Sequence, residues 1–142
     1  MSNLKHKIPD IFLLISILLF MLACSQRVYC TNYDCGSEWS GLAVLISGIF
    51  GIFIGGPCLT WLANPIILIS WITYRKTKFS LITSILAFLI GVSFVFFDEI
   101  IVDEAGNIRE ITGYKIGYYL WILSFLTLII GHVIKLKSKE NN

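Results

Sequence analysis

The charges of this 142-residue chain fall into short stretches separated by long apolar runs, and their signs alternate from one stretch to the next. Lys5 and Lys7, then Arg75, Lys76 and Lys78, then Lys135, Lys137 and Lys139 occupy the N-terminus, the second gap and the C-terminus. Asp34 and Glu38, then Asp98, Glu99, Asp103, Glu104 and Glu110, occupy the first and third gaps. Runs of that length leave too little polar surface for a soluble fold, and retained Lys and Arg mark the cytoplasmic side of a membrane protein. The alternation predicts an all-α transmembrane four-helix bundle with both termini cytoplasmic and two acidic loops outside. Composition agrees: 56% of residues are hydrophobic, mean hydropathy is +0.80 and 14% are charged, where a soluble domain carries about 25%. Four spans of roughly 20 residues use most of the chain, so residues 1–142 are expected to form a single membrane domain. The formal charge of +2 comes from the basic ends, which suit an anionic lipid bilayer rather than nucleic acid.

The expected spans are residues 9–25, 41–74, 79–97 and 114–135. The first admits a second reading as a lipoprotein signal, since Met21-Leu22-Ala23-Cys24 approximates a site of cysteine acylation. Asp10 at its start, the bulk of Leu22, and the redundancy of a lipid anchor beside further spans favour a retained helix. The second run, Gly41 to Tyr74, is 34 residues long, well beyond the roughly 20 that cross a bilayer. It is expected to break at Gly55-Gly56-Pro57 and at Asn64-Pro65. Each proline lacks an N–H and crowds the carbonyl four residues earlier, at Phe53 and Trp61. The surplus, residues 41–54, is open to three readings: a tilted continuation, a re-entrant segment, or a fifth span. Four spans put eight of the eleven basic residues inside and five put seven. The loop decides for four, because Gly55-Gly56-Pro57 offers no charge or strong polar group to hold a turn at an interface.

Between the third and fourth runs, Ile100-Ile101-Val102 and Ile108 to Thr112 flank the turn-forming residues 103–107. This predicts a small extracytoplasmic β-hairpin. Tyr114, Tyr118, Tyr119 and Trp121 suit the headgroup region as anchors. Small residues recur along the runs: Ser47, Gly51 and Gly55; Ser80, Ser84, Ala87 and Gly91; Thr127 and Gly131. They let helix backbones approach closely, which serves a bundle, self-association or docking to another membrane protein.

Candidate sites are few. Cys24, Cys30 and Cys35 fall in a loop exposed to an oxidising compartment, and Cys30 with Cys35 is the expected disulfide, since four intervening residues can close a loop clear of the span. A structural clip is the plainer role; a thiol redox protein is the alternative, although no Cys-x-x-Cys pair is present. Cys58 reads as a small buried side chain. Asn64 is the uncharged amide inside a span, and with Pro57, Trp61 and Pro65 it marks a broken helix of the kind that forms polar spots in transporters. A packing amide that satisfies the kink is the simpler role. No intramembrane Asp, Glu, Lys or Arg accompanies it as a coupling group. His6 and His132 lie at opposite ends of the chain without ligand-like neighbours, so no metal or cofactor is expected. The acidic third gap follows no calcium-loop spacing and reads as solvated charge.

Two stretches, Trp61-Leu62-Ala63-Asn64-Pro65 and Gly113-Tyr114 with Gly117-Tyr118-Tyr119-Leu120-Trp121, each lead into an apolar helix. They resemble small bacterial multi-pass inner-membrane proteins that have no assigned activity. The resemblance implies a class and a location, and no catalytic residues. The expected function is a non-enzymatic structural or interaction component. The alternatives are a small transporter or channel subunit built around Asn64 and a thiol redox protein built on the first loop.

Overall fold

In a setting without water a backbone polar group must find its partner within the protein, and an uncharged run does so as a helix. The computed structural model describes residues 2–32, 35, 39–103 and 105–140, with side chains among these from residue 9 to residue 138. Asp34, Glu38 and Glu104 lie outside the described residues, as do the side chains of Lys5, His6, Lys7 and Lys139. The described residues form five α-helices: α1 Ser2–Ser25, α2 Gly41–Gly51, α3 Ala63–Ile72, α4 Thr77–Ser93 and α5 Ile116–Glu140. A 3-10 helix, Gly56–Leu62, leads into α3, and another, Phe94–Phe96, ends α4. Among the described residues there are also three strands: β1 Tyr29–Thr31, β2 Glu99–Ile101 and β3 Ile108–Tyr114.

Two helical segments, Thr77–Phe96 and Ile116–Ser138, are long and apolar enough to cross a membrane. The second apolar run meets that test only as a pair, Gly41–Gly51 with Gly56–Ile72, bent by 110°. The apolar part of α1, Pro9–Ser25, is shorter. The bend has a local cause. Gly55 and Gly56 adopt φ of 84° and 57°, conformations in which a Cβ is strained, and Pro57 then opens the 3-10 helix, where its missing N–H costs nothing. The chain passes from 3-10 to α winding between Leu62 and Ala63, just before Asn64-Pro65, and Gly56–Ile72 continues as one segment. Asn64 is helical although a proline follows it, because Pro65 sits in the first turn of α3, where N–H groups lack intrahelical partners anyway. The Trp61 carbonyl is taken by the Ala63 N–H. α2 has 11 residues, about 16 Å of helix against about 30 Å of hydrocarbon, too short for the fifth-span reading.

Small residues set the packing. α1 lies along α5, α5 against α4, and α4 against α3. Ser80, Ser84, Ala87 and Gly91 form the buried stripe of α4, and a Cβ on Gly91 would meet Ile122 Cδ1 of α5 at 2.9 Å. Gly131 does the same for α1, with its Cβ position 2.6 Å from Phe12 Cβ. The ring closes through Trp71, which packs edge-on to Phe20 at 5.2 Å and donates to Ser16 Oγ at 3.1 Å. The core between the helices is Phe20, Ala63, Ile67, Tyr74, Ala87, Phe125 and Leu128.

The strands form an antiparallel sheet in the order β1-β3-β2. The expected hairpin is β2 with β3, pairing Glu99 with Glu110 and Ile101 with Ile108. β1, from the first gap, adds a third strand through Tyr29 opposite Tyr114 and Cys30 opposite Gly113. Tyr118 departs from the anchor role: it is 4% exposed, donates to the Gly91 carbonyl at 3.2 Å, and packs with Tyr29, Phe94 and Ile100 to seat the sheet on the bundle. Tyr119 is the exposed ring of the group, at 58%.

Sequence alternation thus becomes spatial segregation. Arg75, Lys76 and Lys78 stand at one end of the bundle with Lys135, whose Nζ donates to the Tyr74 carbonyl at 3.2 Å. Asp98, Glu99, Asp103 and Glu110 stand at the other end, on or beside the sheet.

Candidate functional site

α2 is what makes a site at the sheet end. Folded back by the 110° bend, it rests on its neighbours through glycines. A Cβ on Gly41 would overlap the Ala23 carbonyl, one on Gly48 would overlap the Trp61 indole, and one on Gly51 would lie 3.0 Å from Cys58 Cβ. Ser40 caps it, its Oγ accepting from the Ala43 N–H at 3.3 Å, and Trp61 Nε1 donates to the Leu45 carbonyl at 2.8 Å. Its other face, with Leu42, Ile46, Ile49 and Phe50, is exposed and apolar.

Beneath α2 lies a cavity of about 320 Å³. Phe20 and Ala23 of α1, Val44 and Leu45 of α2, Trp121 of α5 and the sheet residues Tyr29 and Ile100 line it. Burial, with Cys58 nearby, pushes the Tyr29 phenol above its usual range, so that wall is neutral at physiological pH. Asn64 reaches the cavity from the first turn of α3 and is 7% exposed. Trp121 Nε1 donates to Asn64 Oδ1 at 2.9 Å. An indole N–H can only donate, so the amide oxygen must face it, which turns Nδ2 away. Among the described residues Nδ2 has no acceptor. Trp39, another lining residue, has a buried Nε1 without a partner among the described residues. An apolar chamber with the Asn64 amide on its lining suits an apolar molecule carrying a hydrogen-bond acceptor.

The free thiols Cys24 and Cys58 both line this cavity. They are not a pair. Gly41 backs on Cys24 and Gly51 on Cys58, and ten residues of helix separate those contacts by about 15 Å, beyond the roughly 7 Å between Cα atoms that a disulfide spans. Cys30 and Cys35 are disulfide-bonded, with Cα atoms 4.5 Å apart, at the end of the molecule away from the basic residues. Pro57 and Trp61 line the cavity with Asn64; Pro65, next in the chain, sits half-buried. Among the described residues no three His, Cys, Asp or Glu side chains gather as a metal-binding set.

A second polar group lies deeper in the bundle. Ser70 and Ser80 exchange hydrogen bonds with each other's carbonyls at 2.7 and 2.6 Å, and Ser80 Oγ is 2.7 Å from His132 Nε2. Which way the Ser80–His132 hydrogen bond runs follows the imidazole tautomer, and His132 Nδ1 is buried without a partner among the described residues. The structure buries His132 completely. Two serines at ordinary packing spacing carry no signal that they would meet a histidine 52 residues away. Between the two polar groups lie Ile67, Ala87, Phe125 and Leu128, each 0% exposed. This dry layer separates the cavity from the serine–histidine cluster.

No family model, no curated protein and no solved structure matches this chain.

Proposed function

We propose that the chain is a four-pass protein of the bacterial inner membrane, with both termini cytoplasmic, and that it works without catalysis by holding an amphiphilic molecule in the cavity beneath α2. The spans in this reading are α1, the bent pair α2 with Gly56–Ile72, α4 and α5. Three features support it: the gathering of basic residues at one pole, the acidic sheet at the other, and uncharged flanks between them. The observation that carries the binding role is a chamber of about 320 Å³ with largely apolar walls that has the Asn64 amide, its oxygen held by Trp121, on its lining. The favoured ligand is an apolar body with a carbonyl, ester or similar acceptor group.

A fluorescent naphthylamine, whose emission rises on leaving water, tests this with the full chain in detergent. Saturable enhancement is expected, lost in Val44→Trp, which fills the chamber from α2, and retained in Phe53→Ala, whose side chain is 88% exposed and outside the chamber. Enhancement that is unsaturable, or equal in the two variants, overturns the reading.

Transport is the second reading, favoured by the unpaired Asn64 amide facing the chamber. It requires the layer of Ile67, Ala87, Phe125 and Leu128 to open, and Asn64→Ala would then abolish solute flux while assembly persists.

A further inference from the structure

The chamber beneath α2 is walled with aromatic rings. Three of the chain's four tryptophans, Trp39, Trp61 and Trp121, are on its lining, and all three are half-buried. Trp61 and Trp121 are tied at the indole edge, to the Leu45 carbonyl and to Asn64 Oδ1, which holds the rings in place. Trp39 packs on Tyr29, another lining residue, with ring centroids 4.9 Å apart. The face of an aromatic ring carries the negative end of its quadrupole and attracts a cation within about 6 Å, tryptophan most strongly.

The charge around the chamber has one sign. Among the described residues its lining holds no Lys, Arg or His, and its one ionised side chain is Asp103. Asp103 accepts from the Asn107 backbone N–H at 3.1 Å and from the Asn107 side-chain amide at 2.6 Å. Its oxygens are therefore engaged, and it acts on a ligand through its field. The first and third gaps, which meet at this pole through β1 and β3, carry seven acidic residues against Arg27, Arg109 and Lys115, a net charge of −4. Such a field raises the local concentration of cations and lowers that of anions.

We propose that the chamber takes an amphiphile with a quaternary ammonium group. This rests on the chamber being a binding site and adds the charge class of its ligand. The alkyl body lies along the apolar wall that includes Ala23, Val44 and Leu45, and the ammonium lies among the tryptophan rings. A quaternary ammonium has no N–H and asks for no acceptor, which suits a lining whose Asn64 oxygen is taken by Trp121 and whose Asp103 is taken by Asn107. A primary amine would bring N–H donors that go short of partners there.

The test is competition against the naphthylamine on the full chain in a neutral detergent, with decyltrimethylammonium, decyl sulfate and 1-decanol as probes of equal chain length. Decyltrimethylammonium is expected to displace the dye at about fivefold lower concentration than decanol, and decyl sulfate to need more than either. Trp39→Leu keeps an apolar wall and breaks no side-chain hydrogen bond among the described residues; it is expected to remove most of that preference. Trp39→Phe is expected to keep part of it even if the leucine variant folds poorly. Asp103→Asn is expected to narrow the preference, as is added salt, and Phe53→Ala to leave it unchanged. A saturable dye signal that the three amphiphiles displace equally, or a preference left intact by both Trp39→Leu and Asp103→Asn, overturns this proposal and spares the chamber as a binding site. A dye signal that never saturates overturns both.

Discussion

Asn64 was legible as the polar residue of its span, but its partner was not. An amide two residues into a helix looks the same in sequence whether it serves a kink or faces a neighbour, and here it accepts from Trp121, 57 residues away. Removing it strands a part-buried indole N–H. Asn64→Ala is expected to cost about 1–2 kcal/mol in denaturant unfolding in detergent. Trp121→Phe removes the same bond, so the double variant is expected to lose less than the sum of the two; strict additivity would show that the pair is uncoupled. The serines of α4 offer an internal contrast. Ser84 Oγ returns to its own helix, at the Leu81 carbonyl, whereas Ser80 holds both Ser70 and His132. Ser80→Ala is therefore expected to destabilise by about 1–2 kcal/mol and Ser84→Ala by clearly less, measured by the same unfolding.

At the scale of elements, length and turn chemistry gave the most. Uncharged runs of ordinary spanning length marked α4 and α5, and Asp103 to Asn107 marked the tip between β2 and β3. β1 gave no signal, because Tyr29-Cys30-Thr31 is too short to show an alternation and its partner lies far along the chain. The same blindness hid Tyr118: a ring at a helix end reads as a headgroup anchor until a sheet is known to cover it. α2 depends on a missing side chain. Gly48→Val would drive a branched group into the Trp61 indole, at an expected cost of about 1–3 kcal/mol, with loss of naphthylamine enhancement. The hairpin carries a visible defect, since Glu99 and Glu110 lie directly opposite each other. Glu110→Lys is expected to stabilise it by about 0.2–1 kcal/mol, read as slower amide exchange across β2 and β3. Its tip is pH-sensitive. The Asn107 side-chain amide and backbone N–H hold the Asp103 carboxyl below its usual range, so this contribution is complete above the ordinary aspartate pKa. It is lost as pH falls through the lowered one, when amide exchange at Asn107 is expected to accelerate.

For the whole molecule, alternating charges led to one expected orientation of the C-terminal half under either four or five spans and left the N-terminal half to a difference of one basic residue. The missing constraint was contact between gaps distant in sequence. β1 pairs with β3, so the first and third gaps share one pole, and α1 runs antiparallel to α5, with Phe12 against Gly131 at one end and the Arg27 backbone against Gly117 at the other. On the proposed arrangement the sheet and the Cys30–Cys35 disulfide lie outside the membrane and the basic turn lies inside. The direct measurement is labelling with a membrane-impermeant thiol reagent, after reduction, in intact cells whose outer barrier has been opened. Cys24→Ser and Cys58→Ser leave Cys30 and Cys35 as the reporters, and Lys137→Cys in a background lacking all four native cysteines reports the opposite pole. The account predicts labelling of Cys30 and Cys35 before lysis and of residue 137 only after it; the reverse pattern, or loop cysteines that label only after lysis, would contradict it.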